Sequence, residues 1–270
     1  MTAQVTRADA DMKKRKSPSR GSTTHRLRVW GLRLALVTVI VALWLFANRP
    51  GGISPLILPE LGKVAQSFVD LVITPDTWRQ AGITVFEMVV AFSIAAVVGL
   101  GTGFALSRNR ISSRTAEPLF AWGYLFPFVL LYPLFLLWVG VGIQSKIAYA
   151  ATGAFFPIAY NTIRGLRSID ERYLKVGKAF GASAFQMDID VKLGAARPMI
   201  LSGLRIGSSI VTISVVLAEL LGSNAGLGHE IEQASSRFQI ANSYAVVVLL
   251  IVIAAVLQAG LERLLKPRHK

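Results

Sequence analysis

Apolar residues are concentrated in six stretches of the chain, and polar residues lie mainly between them. The stretches cover residues 34–47, 81–107, 118–142, 147–163, 199–222 and 239–261. A helix that crosses a bilayer needs about 20 mainly apolar residues, and it is helical because lipid offers no hydrogen-bond partner to the backbone. The pattern therefore predicts an all-α membrane protein with about six transmembrane helices.

Three polar segments accompany these stretches. Residues 1–33 are basic and contain few apolar positions, which predicts a disordered tail ahead of a transmembrane domain over 34–265. Residues 59–72 place apolar side chains on one helical face, so they predict an amphipathic helix along the outer surface, with an ordinary short loop as the alternative. Residues 165–198 form a long, charged, glycine-containing loop between the fourth and fifth stretches.

Composition supports a membrane protein and indicates its orientation. Hydrophobic residues make up 53% of the chain and charged residues 16%, whereas soluble domains carry about 25% charged residues. Of the 29 Lys and Arg residues, five fall on one predicted side: Arg49, Lys63, Arg79, Lys146 and Arg237. Because Lys and Arg concentrate in cytoplasmic loops, both termini and the 165–198 loop are predicted to be cytoplasmic. The same placement argues against nucleic-acid binding, despite a net charge of +14.

The long cytoplasmic loop contains a stretch that is typical of a short helix. Residues 173–186 lack proline and predict a helix of about four turns. Gly177 and Gly181 are four residues apart, so they would share one face and form a shallow notch. A docking element for a soluble partner and a chance pair of glycines both fit this pattern.

Several motifs, taken in order, resemble ABC-importer permeases of the nitrate/sulfonate/taurine branch. They are LWVGVG at 137–142 with SK at 145–146, GAFFP at 153–157, GAS at 181–183 with AARP at 195–198, and AELLG at 218–222 with GLG at 226–228. Each motif is short, but their order and spacing extend the resemblance over residues 58–265. The family's loop usually opens with Glu-Ala-Ala, whereas this chain has Lys175-Val176-Gly177.

The resemblance implies a permease subunit that forms the pore of an ATP-driven importer for a small organic or inorganic anion. It implies a five-helix core plus an N-terminal span, a second permease copy in a homodimer, two ATPase subunits and a periplasmic or lipid-anchored substrate-binding protein, all at the bacterial cytoplasmic membrane. ATPase coupling is expected at Lys175, Gly177, Lys178, Ala179, Gly181, Ala182 and Ser183. The sequence lacks the phosphate-binding pattern G-x-x-x-x-G-K-[ST], so ATP hydrolysis is expected in partner chains. The near match at 99–103 is interpreted as helix packing.

Polar, aromatic and proline residues within the spans are candidates for the translocation path. They are Pro127, Tyr132, Pro133, Trp138, Asn161 and Glu219. Prolines in the third span predict a kink, which opens room for a solute. Packing or lipid contact is the alternative for the aromatic residues, and a helix–helix hydrogen bond is the alternative for Asn161. Glu87 is interpreted as reaching the outer interface, with a functional buried charge as the alternative.

No cofactor or metal site is expected from the sequence. His229, Glu230 and Glu232 contribute one histidine, and adjacent residues on a helix do not face each other. Two other classes stay open at this point: a membrane-embedded enzyme, and a secondary transporter or channel that works alone. The first needs converging acid–base groups and the second needs internal repeats or broken-helix sites. The basic tail is either a solvated extension or a contact with anionic lipid.

Overall fold

The structure is a computed structural model that describes residues 21–265 of the chain. The described residues are almost entirely helical and contain no strand. Most of the predicted disordered tail, residues 1–20, lies outside the described residues, as do residues 266–270. The all-α prediction is therefore confirmed for the described part of the chain.

Eleven α-helices occur in the described residues. They are α1 Gly21–Ala47, α2 Leu61–Ile73, α3 Pro75–Ser107, α4 Arg110–Leu125, α5 Tyr132–Val139, α6 Ile143–Arg167, α7 Glu171–Ala179, α8 Ala184–Gln186, α9 Gly194–Gly222, α10 Leu227–Ser236 and α11 Ile240–Leu265. A 3₁₀ turn at Phe128–Leu131 lies between α4 and α5, and a π-helical segment at Met187–Leu193 joins α8 to α9.

The described residues divide into two compact units at Leu61. In the first unit, α1 begins at Gly21, although the sequence pattern predicted disorder up to residue 33 and a span over 34–47. No proline lies between Gly21 and Ala47, so nothing in the sequence stops the apolar helix from extending toward the N-terminus. After α1, the chain folds back, and the indole of Trp44 donates a hydrogen bond to the Pro59 carbonyl at 3.0 Å.

The second unit is organised around α6, which packs along both α3 and α9. More than half of its residues are buried, including the polar Ser145, Asn161 and Thr162. A helix that is surrounded by other helices does not need the uniformly apolar surface of one that faces lipid. This explains why the fourth predicted span is a 25-residue helix of moderate hydropathy.

Glycines allow the backbones of these helices to approach closely. A Cβ atom built on Gly99 of α3 would lie 2.9 Å from Ile158 Cγ2, and one on Gly103 would lie 2.6 Å from Thr162 Cβ. On α9, a Cβ at Gly207 would lie 2.7 Å from Ile158 Cδ1. The packing interpretation of residues 99–103 is therefore confirmed for Gly99 and Gly103, whereas a Cβ at Gly101 would meet no atom within 4 Å.

Four described helical segments are long and apolar enough to cross a membrane. They are 28–47 in α1, α3, the continuous helix over 184–222 and α11. A fifth arises if α4 and the segment Phe128–Val139 count as one bent span, with an angle of 77° between them. The bend contains Pro127, as the kink prediction requires, whereas Pro133 lies in the first turn of α5, where proline fits a straight helix.

The amphipathic segment after the first span is a helix, α2, rather than an irregular loop. Val64 and Leu71 of this helix are buried, and Phe68 is half-buried against the hydrophobic core. These three positions follow the spacing of one helical face.

Candidate functional site: the 165–198 loop and a buried polar cluster

The loop between α6 and α9 is not one four-turn helix. Gly181 has a φ of +73° and ends α7, because the left-handed conformation is open to glycine and costly for other residues. Hydrogen bonds from Gly181 N–H to the Lys178 carbonyl and from Ala182 N–H to the Gly177 carbonyl, both 3.0 Å, close the helix end in a Schellman arrangement. The prediction of a continuous helix over 173–186 is wrong.

A capping box at Ser183 starts the next helix. Gln186 N–H donates to Ser183 Oγ at 3.3 Å, and Ser183 N–H donates to Gln186 Oε1 at 2.9 Å. A glycine followed by Ser-x-x-Gln is a sequence signal for a helix end and a new helix start, and it was present in the chain. The π-helical segment Met187–Leu193 then leads into α9.

The predicted notch between Gly177 and Gly181 does not exist. Because the chain folds back at Gly181, the following helix covers Gly177, which is buried. A Cβ at Gly177 would lie 2.8 Å from Met187 Cε and 3.1 Å from Val191 Cγ2, whereas a Cβ at Gly181 would meet no atom within 4 Å. Gly177 thus serves contacts within the chain.

The loop instead exposes apolar side chains with basic neighbours. We define the loop patch as Tyr173, Val176, Phe180 and Phe185. Phe180 is 87% exposed and Phe185 is 72% exposed. The other predicted coupling residues are exposed, apart from the half-buried Ala182: Lys175, Lys178, Ala179, Gly181 and Ser183. A group of exposed aromatic residues is typical of a docking surface.

A cluster of polar side chains is buried near the opposite ends of α6 and α9. We define the buried cluster as Gln80, Thr84 and Glu87 of α3, Lys146 of α6, Glu219 of α9 and the loop 223–228. None of the five side chains is more than 7% exposed. The three residues of α3 are spaced i, i+4 and i+7, so they lie on one face. This polar spacing in an apolar helix was the signal that sequence reasoning missed.

Lys146 joins α3 to the loop 223–228. Its Nζ lies 2.5 Å from Glu87 Oε1, 2.9 Å from Ser223 Oγ and 3.2 Å from the Ala225 carbonyl oxygen. Lys146 therefore donates two hydrogen bonds to the loop and meets the Glu87 carboxylate as an ion pair. The expectation that Glu87 reaches the outer interface is wrong, because a counter-charge from α6 meets it inside the protein.

Glu219 holds the start of α10. Its Oε1 accepts a hydrogen bond from Thr84 Oγ1 and its Oε2 accepts one from Gly228 N–H, both at 2.8 Å. The side chain of Gln80 accepts from Gly226 N–H at 2.8 Å. The first N–H groups of a helix have no partner within the helix, and a carboxylate there is favoured by the helix dipole. Neighbouring helices therefore cap α10.

Two glycines allow the loop to wrap around this carboxylate. Gly226 has a φ of +107°, and a Cβ there would collide with the Glu219 carboxylate. A Cβ at Gly228 would lie 2.6 Å from Glu219 Cβ and 2.8 Å from the Val216 carbonyl oxygen. Both positions therefore require a residue without a side chain.

The six residues predicted for the translocation path fall into two groups. Tyr132, Asn161 and Glu219 are buried, and Pro127, Pro133 and Trp138 are exposed. The hydroxyl of Tyr132 donates to the Gly222 carbonyl at 3.3 Å, and the amide of Asn161 donates to the Pro157 carbonyl of its own helix at 2.8 Å. Contacts within the chain thus occupy the polar groups of the buried three.

The chain matches a known protein family. The model of the family described as "Binding-protein-dependent transport system inner membrane component" matches residues 95–268. The chain belongs to this family. It is therefore the inner-membrane permease subunit of an ABC importer, which is a transport subunit and not an enzyme.

Individual relatives agree with this assignment. The putative aliphatic sulfonates transport permease protein SsuC of Bacillus subtilis is 30% identical over 224 residues, which are 83% of this chain and 81% of that protein. The taurine transport system permease protein TauC of Escherichia coli is 26% identical over 246 residues, which are 88% and 90% of the two chains. A chain of the MetNI methionine ABC transporter in an inward-facing conformation shares the fold, with a TM-score of 0.59, 23% identity, and coverage of 71% of this chain and 96% of that one.

Four of the motifs that resembled importer permeases lie in the two regions described above. GAS at 181–183 forms the turn and cap of the 165–198 loop. SK at 145–146, AELLG at 218–222 and GLG at 226–228 supply Lys146, Glu219, Gly226 and Gly228 to the buried cluster. These four motifs therefore build the two helix-end structures.

Proposed function

We propose that this permease imports a small sulfonate-like anion as a homodimer, driven by two ATPase subunits that bind the loop over 165–198. The observation that carries the coupling assignment is the exposure of the loop patch, above all of Phe180. The substrate class is supported by relatives named for aliphatic sulfonates and taurine. A periplasmic or lipid-anchored binding protein delivers the solute on the side opposite the ATPases.

Six spans with both termini in the cytoplasm fit this function best. Lys and Arg residues concentrate on the side that holds the 165–198 loop, which favours a cytoplasmic location for it. The four apolar helical segments and the bent pair supply five spans. α6 supplies the sixth, because 25 helical residues measure about 37 Å and exceed the hydrocarbon thickness.

Coupling runs through the helix that follows the loop. The chain is helical without a break from Ala184 to Gly222. A displacement of the loop patch by the ATPases therefore moves the start of this helix, and a packed helix transmits the movement along its length. Its other end carries Glu219, which holds α10.

Charge on the loop sets the kind of ATPase surface that fits. Lys175 and Lys178 flank the loop patch and are exposed. The opening Glu-Ala-Ala of the family is replaced here by Lys175-Val176-Gly177. Complementary potentials guide partners together, so the cognate ATPase is expected to present acidic residues beside an apolar cleft.

The coupling proposal is tested with Phe180→Asp in the assembled transporter. Because Phe180 is 87% exposed, the change leaves the fold intact and places a charge within an apolar contact. We expect loss of ATPase co-purification and of transport, at an unchanged unfolding temperature. Phe238→Asp is the matched control for ATPase co-purification, since Phe238 is 75% exposed and lies between α10 and α11, at the end opposite the loop patch. Normal co-purification and transport by Phe180→Asp would refute the docking site.

The substrate proposal is tested on the binding protein that works with this permease. Titration calorimetry with taurine, alkanesulfonates, nitrate and riboflavin compares the solute types, and uptake into proteoliposomes follows for those that bind. We expect the sulfonates to bind most tightly. Tighter binding of nitrate or riboflavin would refute a sulfonate importer and leave the permease assignment standing.

A further inference from the structure

We propose that Lys146 is a positioning residue for the response of the permease to its loaded binding protein. Its ammonium group, with Glu87 as counter-charge, fixes the loop 223–228 and thereby the placement of α10. α10 then presents a polar surface to the delivering protein. This inference rests on the proposed function, because it needs a partner that arrives at the end opposite the ATPases.

The two carboxylates of the buried cluster are neighbours, and both interact with the charge of Lys146, but they differ in their hydrogen bonds. Glu219 accepts hydrogen bonds from Thr84 and from the first turn of α10. Lys146 is the ion-pair partner that the described residues provide for Glu87. Lys146 and Glu87 therefore form a neutral pair, while Glu219 is compensated by the positive end of α10.

The Lys146–Glu87 pair contributes to the position of the loop 223–228 rather than to the stability of the fold. Replacing a buried ion pair by apolar residues of similar size is often neutral or stabilising, because taking two charges out of water is costly. The pair instead joins α3 to a non-helical loop with defined geometry. Both hydrogen-bond acceptors of Lys146 belong to that loop: Ser223 Oγ and the Ala225 carbonyl.

The turn over 223–225 depends on this contact because its own hydrogen bonds are made through the Ser223 side chain. Ser223 Oγ donates to the Ala225 carbonyl at 2.7 Å and accepts from Ala225 N–H at 3.2 Å. Lys146 binds both Ser223 Oγ and the Ala225 carbonyl, so one ammonium group fixes this turn. Removing the ammonium group leaves a half-buried carbonyl with fewer partners and frees the turn to shift.

α10 is the element whose placement the turn controls. It begins at Leu227, within the last residues of the loop 223–228, and the N–H groups at its start are bound by α3 and α9. Its outer surface is polar, with Glu232, Gln233 and Ser236 exposed. It is not among the described helices that are long and apolar enough to span a membrane. A water-soluble protein that delivers solute is the partner that fits a polar helix at this end.

The test uses the double variant Lys146→Met with Glu87→Gln in the complete transporter. Both charges disappear together and the side-chain volumes stay similar, so we expect a folded complex whose unfolding temperature is close to that of the wild type. ATPase stimulation is titrated with the binding protein loaded with its tightest sulfonate from the screen above. We expect the half-saturating concentration to rise about tenfold, because the turn that leads into α10 loses the contact with Lys146 while the contacts of Glu219 and Gln80 remain.

A conservative pair and a loop variant separate positioning from a structural role. Lys146→Arg with Glu87→Asp keeps a donor for the turn, and we expect it to restore half-saturation to within about threefold of the wild type. Ser223→Ala removes one acceptor without touching the charges, and we expect a rise of about threefold. If the double variant does not fold, the half-saturation of Ser223→Ala tests the inference by itself. Wild-type half-saturation in the double variant, or in Ser223→Ala, would overturn the inference.

A surface ion pair on the same helix provides the control. Arg79 and Asp76 form an exposed pair at 2.8 Å near the start of α3, and the double variant Asp76→Asn with Arg79→Gln is expected to respond like the wild type. If no loaded binding protein stimulates the ATPase activity of the wild-type complex, both the proposed function and the inference about Lys146 are refuted. A stimulated wild type with an equally responsive Lys146 variant would sink only the inference about Lys146.

Discussion

Charged residues are exposed near one end of α6 and α9 and buried near the other end. At the 165–198 loop, the pair Arg167–Glu117 is partly exposed, and Lys175 and Lys178 lie beside exposed aromatic residues. At the buried cluster, Lys146 and Glu87 meet with almost no exposure. Exposed charges are screened by water and contribute little energy, so they suit a contact that forms and breaks. Buried charges must be matched to remain ionised, so they suit a fixed position.

Breaking one ion pair at each end gives the largest expected difference. Lys146→Met leaves the Glu87 carboxylate buried without its partner, and we expect a loss of about 3–5 kcal/mol in the free energy of unfolding. Glu117→Gln breaks the partly exposed pair and is expected to cost about 0–1 kcal/mol. Chemical unfolding in detergent measures both. Similar losses at the two ends would contradict the distinction.

Glycine substitutions at each end separate crowding from backbone strain. Gly228→Ala places a methyl group against Glu219 and the Val216 carbonyl, and we expect a loss of about 1–3 kcal/mol. Gly181→Ala meets no neighbour but forces alanine to a φ of +73°, and we expect a loss of about 1 kcal/mol. The unfolding temperatures of the two variants are compared. A larger loss for Gly181→Ala would show that the cluster tolerates crowding.

Phe238 offers the reverse test of backbone strain. Its N–H donates to the Ser235 carbonyl at 3.0 Å and Gln239 N–H donates to the Ala234 carbonyl at 2.8 Å, so it ends α10 as Gly181 ends α7. Its φ of 58° is unfavourable for a bulky residue. Because Phe238 is largely exposed, Phe238→Gly is expected to raise the free energy of unfolding by about 1 kcal/mol. A lower stability would reveal an apolar contact of Phe238 with a partner or with lipid.

Glu230 of α10 supplies a smaller, pH-dependent effect. Burial raises its pKa above the ordinary value of 4.5, so the folded state binds its proton more tightly than the unfolded state. Its contribution to stability is complete below pH 4.5 and is lost as pH rises through the raised pKa. Glu230→Gln should therefore stabilise the protein at neutral pH and have no effect in acid. The free energy of unfolding is measured at acidic and at neutral pH for Glu230→Gln and for Glu232→Gln, which changes an exposed residue of the same helix. A gain that is equal at both pH values would exclude titration as the cause.

The sequence predicted the local features well, because they depend on neighbouring residues. The apolar stretches predicted the helices, and Pro127 predicted the bend, which measures 77° in the structure. The break at Gly181 was also encoded locally, in a glycine followed by Ser183 and Gln186, but periodicity alone did not reveal it. What followed from the break, the covering of Gly177 by Met187, depended on how the chain folds back.

The sequence by itself determined that this chain is a helical membrane permease, since hydropathy and ordered motifs are properties of a linear chain. Only the tertiary structure decided that Lys146 meets Glu87 and that Glu219 caps α10. These partners come from different helices, and their contact depends on how each helix is rotated and how closely it packs. Glycines such as Gly103 and Gly207 set that approach through contacts with α6. The sequence around a buried charged residue does not show whether that residue has a partner, because the partner lies in another part of the chain.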